Sequence, residues 1–355
     1  MQIKGKTLEV PLIQGGMGIG VSLGGLAGAV AACGAMGIIS IANPGYLEDD
    51  FWENPLEANI RALKKEIIKA KKIAKGKGLI GINAMVASSQ YKQMIKVALE
   101  NGIDCIISGA GLPTELPALT KCKDVLLSPI VSSGKAAKVI CNAWDRRHQC
   151  TPDFIVIEGS DAGGHLGFAV EELINHTAKN LKEILQDVLK TLIPFEEKYG
   201  HKIPVFVAGG LDNAKDIEEI MEAGASGVQI ATPFITTTEC DASEAYKKLF
   251  LTSQKKDIVI TKSPVGMPGR AFLTPLIQKI QNGERVAPKK CVRCIGHCDP
   301  KTIPYCITKA LIEGVKGNYE EGLFFCGSNA YHLKNIVSVQ ERIHELMPKF
   351  TEVTK

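Results

Sequence analysis

A chain of 355 residues with 45% apolar and 23% charged residues has room for one large domain or two ordinary ones, and its composition excludes disordered and fibrous classes. Basic and acidic residues number 42 and 38, a net charge of +4 too small and too scattered to imply nucleic acid as a partner. Eleven cysteines would suit a disulfide scaffold only in a short secreted chain. The start, MQIKGKTLEVPLIQ, meets Glu9 and Pro11 where a signal peptide needs an apolar run, so a reduced, cytoplasmic enzyme is expected.

The first long stretch, Val10 to Tyr46, carries no charge and is long enough on paper to cross a bilayer. Pro11, Gly15, Gly16, Gly18 and Gly20 interrupt it, so a strand, a glycine loop, a small-residue helix and a second strand are predicted instead. Strand-like runs then recur along the chain. They are Val10–Gln14, Gly37–Ile41, Leu79–Asn83, Cys105–Ser108, Val125–Val131, Phe154–Glu158, Pro204–Ala208 and Gly227–Ile230. Each is short and apolar throughout, as expected where both faces of a parallel strand are buried. Helix-length stretches alternate with them at Pro55–Lys75, Tyr91–Glu100, Ser133–Arg146, Ala178–Tyr199 and Asn213–Ala223. In Pro55–Lys75 the apolar residues Leu56, Ile60, Leu63, Ile67 and Ile68 form one stripe of a solvated amphipathic helix.

Eight such strand-and-helix units within roughly the first 240 residues predict a closed (β/α)8 TIM barrel, with an open doubly wound sheet as the competitor. Residues 241–355 break the rhythm and read as a C-terminal cap. It holds a Lys-rich helix, a strand pair around Asp257–Thr261, a turn-rich Pro264–Arg270, a cysteine cluster and a closing helix near Val337–Met347.

The sharpest motif follows strand six: Glu158-Gly-Ser-Asp-Ala-Gly-Gly-His165-Leu-Gly167. Strand ends of a barrel face the active site, and an imidazole titrating near ~6.5 gives or takes a proton at neutral pH. His165 is therefore the candidate acid/base, against the plainer reading of a surface-loop histidine. Glu158 and Asp161 stand near enough to orient it, or serve as caps. Strand seven ends in Val207-Ala-Gly-Gly210 and strand eight runs Gly227-Val-Gln-Ile-Ala-Thr232, the two places where barrels bind phosphate. Gln14-Gly-Gly16-Met17-Gly after strand one lacks the spacing of a dinucleotide fingerprint. It suits close approach to an aromatic face, and Asn83 offers a donor and an acceptor to a ring edge.

The segments PLIQGGMG, GINAM, EGSDAGGHLG, VFVAGG, GASGVQIATPF, VGMPGRAF and FCGSNA, in this order, resemble the nitronate monooxygenase family. That family is built on an FMN-binding barrel and shares these motifs with flavin-dependent enoyl-acyl-carrier-protein reductases. The resemblance implies that Gly16, Met17 and Asn83 lie at the flavin ring, and that Glu158 and Gly163 line it from the strand-six loop. It further implies that Gly210, Gln229, Ile230, Ala231 and Thr232 hold the phosphate, with His165 as catalytic acid/base. Two residues depart from the monooxygenase pattern. Glu158 stands where monooxygenases usually carry Gln, as in the reductase branch, and Ala231 replaces a usual glycine. The resemblance makes oxidation of alkyl nitronates with O2 the expected reaction, and NAD(P)H-dependent reduction of an enoyl thioester the alternative. The expected partner is a small-molecule substrate, with no nucleic acid or membrane, and a homodimer is the expected assembly.

Cys291-x2-Cys294-x3-Cys298-x7-Cys306, with His297 nearby, is an insertion that shorter members of the family lack. Four thiols within sixteen residues suit zinc or an iron–sulfur cluster, although the spacing matches neither standard pattern. Unpaired reduced thiols in a cap over the barrel mouth are the equal alternative. Arg270 stays open between binding an anion and bracing its loop.

Overall fold

The computed structural model describes residues 1–120 and 124–351; the last four residues of the expected cap lie outside them. Eight parallel strands close into a barrel: β1 (Leu12–Gln14), β2 (Met36–Ser40), β3 (Leu79–Met85), β4 (Cys105–Gly109), β5 (Leu126–Val131), β6 (Ile155–Glu158), β7 (Val205–Ala208) and β8 (Gly227–Ile230). They pair in chain order, and β8 returns to β1 through Ile230 opposite Gln14. The sequence-predicted TIM barrel is therefore the fold, and the open sheet is excluded by that last pairing. Inward-facing Ile13, Met36, Ile38, Cys105, Ile107, Leu126, Phe154, Val156 and Phe206 fill the interior, with Phe154 and Phe206 edge to face at 5.4 Å. Ile3 and Leu8 of the N-terminal hairpin plug the end away from the site.

The uncharged stretch near the N-terminus is explained by packing. Helix Gly24–Ala32 lies directly on β2, and a Cβ on Gly37 would sit 1.9 Å from the Ala27 carbonyl oxygen. Only small residues permit that approach. Among the described residues no helix is long and apolar enough to cross a membrane. The N-terminus of that helix is capped from far away: the Asp241 carboxylate accepts from Leu23, Gly25 and Leu26 N–H, and Glu66 accepts from Gly24.

The C-terminal segment is tied into the barrel. Strand β9 (Ile258–Lys262) pairs antiparallel with β10 (Pro268–Phe272), and β10 pairs with Gly164–His165 of the loop after β6. The turn-rich segment predicted at Pro264–Arg270 is thus half strand, because its residues extend the sheet that grips the β6 loop. Helix Val339–Leu346 buries Val339, Ile343 and Leu346 in the same core as the barrel's outer helices.

Candidate active site

Two adjoining cavities open at the carboxyl ends of the strands. The larger, of about 240 Å³, is lined by all the sequence-predicted ring contacts, Gly16, Met17, Asn83, Glu158 and Gly163, and by His165. The smaller, of about 110 Å³, is lined by Gly210, Gln229, Ile230, Ala231 and Thr232. Gly16, Glu158, Gly163, Gln229, Ala231 and Thr232 border both, so the two form one trough running from a broad apolar chamber to a narrow polar end.

The walls of that trough are backbone by necessity. A Cβ on Gly163 would meet the Cys326 carbonyl carbon at 2.5 Å. Gly210 has φ +76°, a conformation side chains disfavour, and Asn329 Nδ2 donates to its carbonyl at 2.8 Å. Thr232 Oγ1 accepts from Gly327 N–H, which pins the late FCGSNA segment against the β8 loop. A planar ring system with a phosphate tail fits such a trough: flat walls of bare backbone, then a turn of positive-φ glycines.

Two titratable groups face the chamber, and burial pushes them in opposite directions. Glu158 is raised to about 8 and His165 lowered to about 4, both because the cavity disfavours their charged forms. At neutral pH the acid is mainly protonated and the imidazole uncharged. His165 Nε2 bonds the Ser263 hydroxyl at 2.7 Å, and its ring meets Phe325 edge to face at 5.0 Å. Neither Glu158 nor Asp161, the partners expected from sequence, orients it, because β10 draws His165 toward the cap. Arg270 is a brace: its guanidinium donates to the Ser160 and Ala162 carbonyls at 2.7 and 2.5 Å, locking the loop that carries His165.

The expected metal centre is corrected. Among the described residues no group of three or more His, Cys, Asp or Glu is disposed to hold a metal. The four thiols are neighbours, each of Cys294, Cys298 and Cys306 feeling the charge of another, but they do not converge as ligands. Cys291 is exposed, while Cys294 lines the chamber and is pushed up to about 11, chiefly by burial. Cys306 is the N-cap of helix Ile307–Val315, makes no side-chain cap hydrogen bond, and burial raises it too. The insertion instead docks as a lid: Ser89 N–H donates to the Cys294 carbonyl and Gly296 N–H to that of Ala87. Ser263, Phe325 and Asn329 were not singled out from sequence; the last two lie within motifs already quoted, whereas nothing around Ser263 announces its role.

Comparison with known proteins bears on the family and the fold. A family model described as nitronate monooxygenase matches residues 2–349. A probable nitronate monooxygenase of Staphylococcus saprophyticus is 28% identical over 204 residues, 58% of this chain and 54% of that protein. The match thus spans about half that relative's length. A Mycobacterium tuberculosis (3aS,4S,5R,7aS)-5-hydroxy-7a-methyl-1-oxo-octahydro-1H-indene-4-carboxyl-CoA dehydrogenase is 25% identical, covering 78% of this chain and 67% of that one. Among solved structures, FabK from Thermotoga maritima shares the fold with a TM-score of 0.73 at 24% identity, covering 97% of this chain and 94% of its own.

Proposed function

Because the chain belongs to the nitronate monooxygenase family of oxidoreductases, we propose that it binds FMN in the trough and oxidises alkyl nitronates with molecular oxygen. The observation that carries the reading is the continuity of the two cavities, with backbone walls at one end and an uncharged His165 at the other. Gly210, Gln229, Ile230, Ala231 and Thr232 would hold the phosphate, and Gly16, Met17, Asn83, Glu158 and Gly163 would border the ring. FMN when bound supplies the electron transfer between substrate and oxygen.

The protein's own residues do the rest. Glu158, protonated, presents an O–H donor rather than a charge to whatever lies beside it. His165 stands in the chamber as an acid/base that moves a proton at the substrate. Ile19, Ile41, Ile295, Leu311 and Leu323 line the chamber and exclude water from around the reacting atoms. The soluble small-molecule substrate and the homodimer belong to the same proposal.

A second reading has a specific observation behind it. Glu158 and the apolar depth of the chamber also suit a thioester-linked acyl chain, and one relative bears the name of a carboxyl-CoA dehydrogenase. Anaerobic mixing separates the two. An alkyl nitronate should bleach the yellow protein on the first reading, and NADH or NADPH should leave it oxidised. Rapid bleaching by the nicotinamide and none by nitronate would replace the first reading with the second.

A further inference from the structure

We propose that Gln90 is a substrate-recognition residue whose side-chain Nε2 donates to a carbonyl oxygen carried by the substrate, with Asn59 holding it in that orientation. The inference deepens the reading of the chamber given above and rests on it for the reaction. It starts from a backbone N–H whose direction cannot be reversed.

Gly45 lies hard against helix Pro55–Ala74, where a Cβ would sit 2.4 Å from the Ala58 carbonyl carbon. Its N–H donates to Asn59 Oδ1 at 2.9 Å. A backbone N–H only donates, so the oxygen of the Asn59 amide must face it and the nitrogen must point elsewhere. Asn59 is fully buried, and Nδ2 donates to Gln90 Oε1 at 2.8 Å and to Asn43 Oδ1 at 3.1 Å. Both receiving atoms must then be oxygens, because an amide NH2 does not accept. That fixes two further amides. Asn43 turns its nitrogen to Thr308 Oγ1 at 3.2 Å. Gln90 turns its nitrogen away from Asn59, and Nε2 has no acceptor among the described residues. The side chain lines the chamber, so its Nε2 protons are offered to whatever occupies that space.

The position of Gln90 says which part of the contents it meets. It borders the larger cavity alone and is not among the residues shared with the narrow polar end. The lid docks beside it: Ser88 bridges to Ile295, and Ser89 N–H donates to the Cys294 carbonyl. Gln90 therefore stands under the lid, on the substrate side of the trough. The chemistry of the ligand follows from the walls. Among the described residues no lysine or arginine lines the chamber, so nothing there neutralises a carboxylate beside Ile19, Ile41, Ile295, Ile307 and Leu311. The acceptor that fits is an uncharged carbonyl on an aliphatic chain, as in a ketone, ester, amide or thioester.

The test compares the nitronates of 5-nitropentan-2-one and 1-nitropentane, chains of equal length with and without a carbonyl. In the flavin-loaded protein kcat/KM should favour the ketone by about three- to tenfold, the scale of one neutral hydrogen bond. Gln90→Met removes the donor. Gln90→Glu keeps an oxygen for Asn59 and replaces the nitrogen with a second oxygen. The preference should fall to about one in both variants. A second measurement needs no turnover: the carbonyl 13C resonance of bound, labelled heptan-2-one should lie further downfield in wild type than in either variant. A wild type that treats the two nitronates alike, or a preference and resonance unmoved in both variants, would overturn the proposal. So would variants of unchanged melting temperature that shed the flavin, which would place Gln90 at the ring instead. If wild type oxidises neither nitronate, the nitronate reading fails, and the 13C shift alone upholds or overturns the role of Gln90. The two failures are thus distinguishable.

Discussion

Replacing Glu158 with Gln should make stability less sensitive to pH, in a window that the burial of this carboxyl defines. Its pKa rises from 4.5 to about 8 in the folded protein because the chamber disfavours the carboxylate. Between those values the unfolded chain has released the proton and the folded chain has not, so stability falls as pH rises. The slope is about 1.4 kcal/mol per pH unit for one proton. At pH 7 the accumulated cost is about 3 kcal/mol, an upper figure because cavity water screens the charge. His165 works the other way: lowered from 6.5 to about 4, it costs stability below pH 6.5, where the unfolded chain binds the extra proton. The two slopes oppose each other from pH 4.5 to 6.5, and only the Glu158 cost grows from 6.5 to 8. Urea unfolding of the ligand-free protein should therefore show wild-type stability dropping by about 2 kcal/mol across that last interval. Glu158→Gln, which cannot ionise, should lack that drop and gain on wild type at every step. Parallel curves for the two proteins from pH 5 to 9 would refute the reasoning, because they would mean Glu158 titrates alike in both states.

Three further outcomes follow from single contacts. His165→Gln should bind FMN with unchanged colour while kcat for a nitronate falls by about 10²- to 10⁴-fold; unchanged turnover removes it from the chemistry. Gly210→Val should release the flavin on gel filtration, since its φ of +76° disfavours a side chain and the new Cβ would press on Asp161 at 3.0 Å. Asp241→Ala deletes the acceptor for three N–H groups at the start of helix Gly24–Ala32 and should cost about 1–2 kcal/mol in a urea titration, with flavin retained.

The barrel was legible because parallel strands buried on both faces leave a local signature. All eight runs predicted from sequence coincide with strands, and Tyr91–Glu100 is a helix with the same ends. The trough was legible for a related reason: glycines at strand ends cluster where backbone must come close to a ligand. What could not be read were the long-range assignments. Asp241 capping a helix 215 positions away leaves no periodic trace, and neither does Ser263 reaching His165 across 98. The half-strand at Pro268–Phe272 was hidden by its Pro and Gly, because its partner is a glycine-flanked loop rather than another apolar run. The cysteine spacing suggested a metal because sequence gives proximity without geometry, and among the described residues no three such groups are disposed to share one ion.

The division between barrel and cap bears on which substrate the chamber accepts. Its two titratable groups, Glu158 and His165, are uncharged at neutral pH. A nitronate is an anion, so its entry into this apolar space is opposed unless His165 takes up a proton as it binds. Proton uptake and affinity are then linked: above pH 4 the dissociation constant of a nitronate should rise tenfold per pH unit until the imidazolium of the complex itself titrates. An enoyl thioester is neutral where it meets His165 and draws no proton on binding. Titrating each ligand into the flavin-free protein in weakly buffered solution, with an indicator dye, reads binding without turnover and shows the difference directly. One proton taken up per nitronate supports the oxidase reading; tight nitronate binding with no uptake contradicts the neutral imidazole on which it depends.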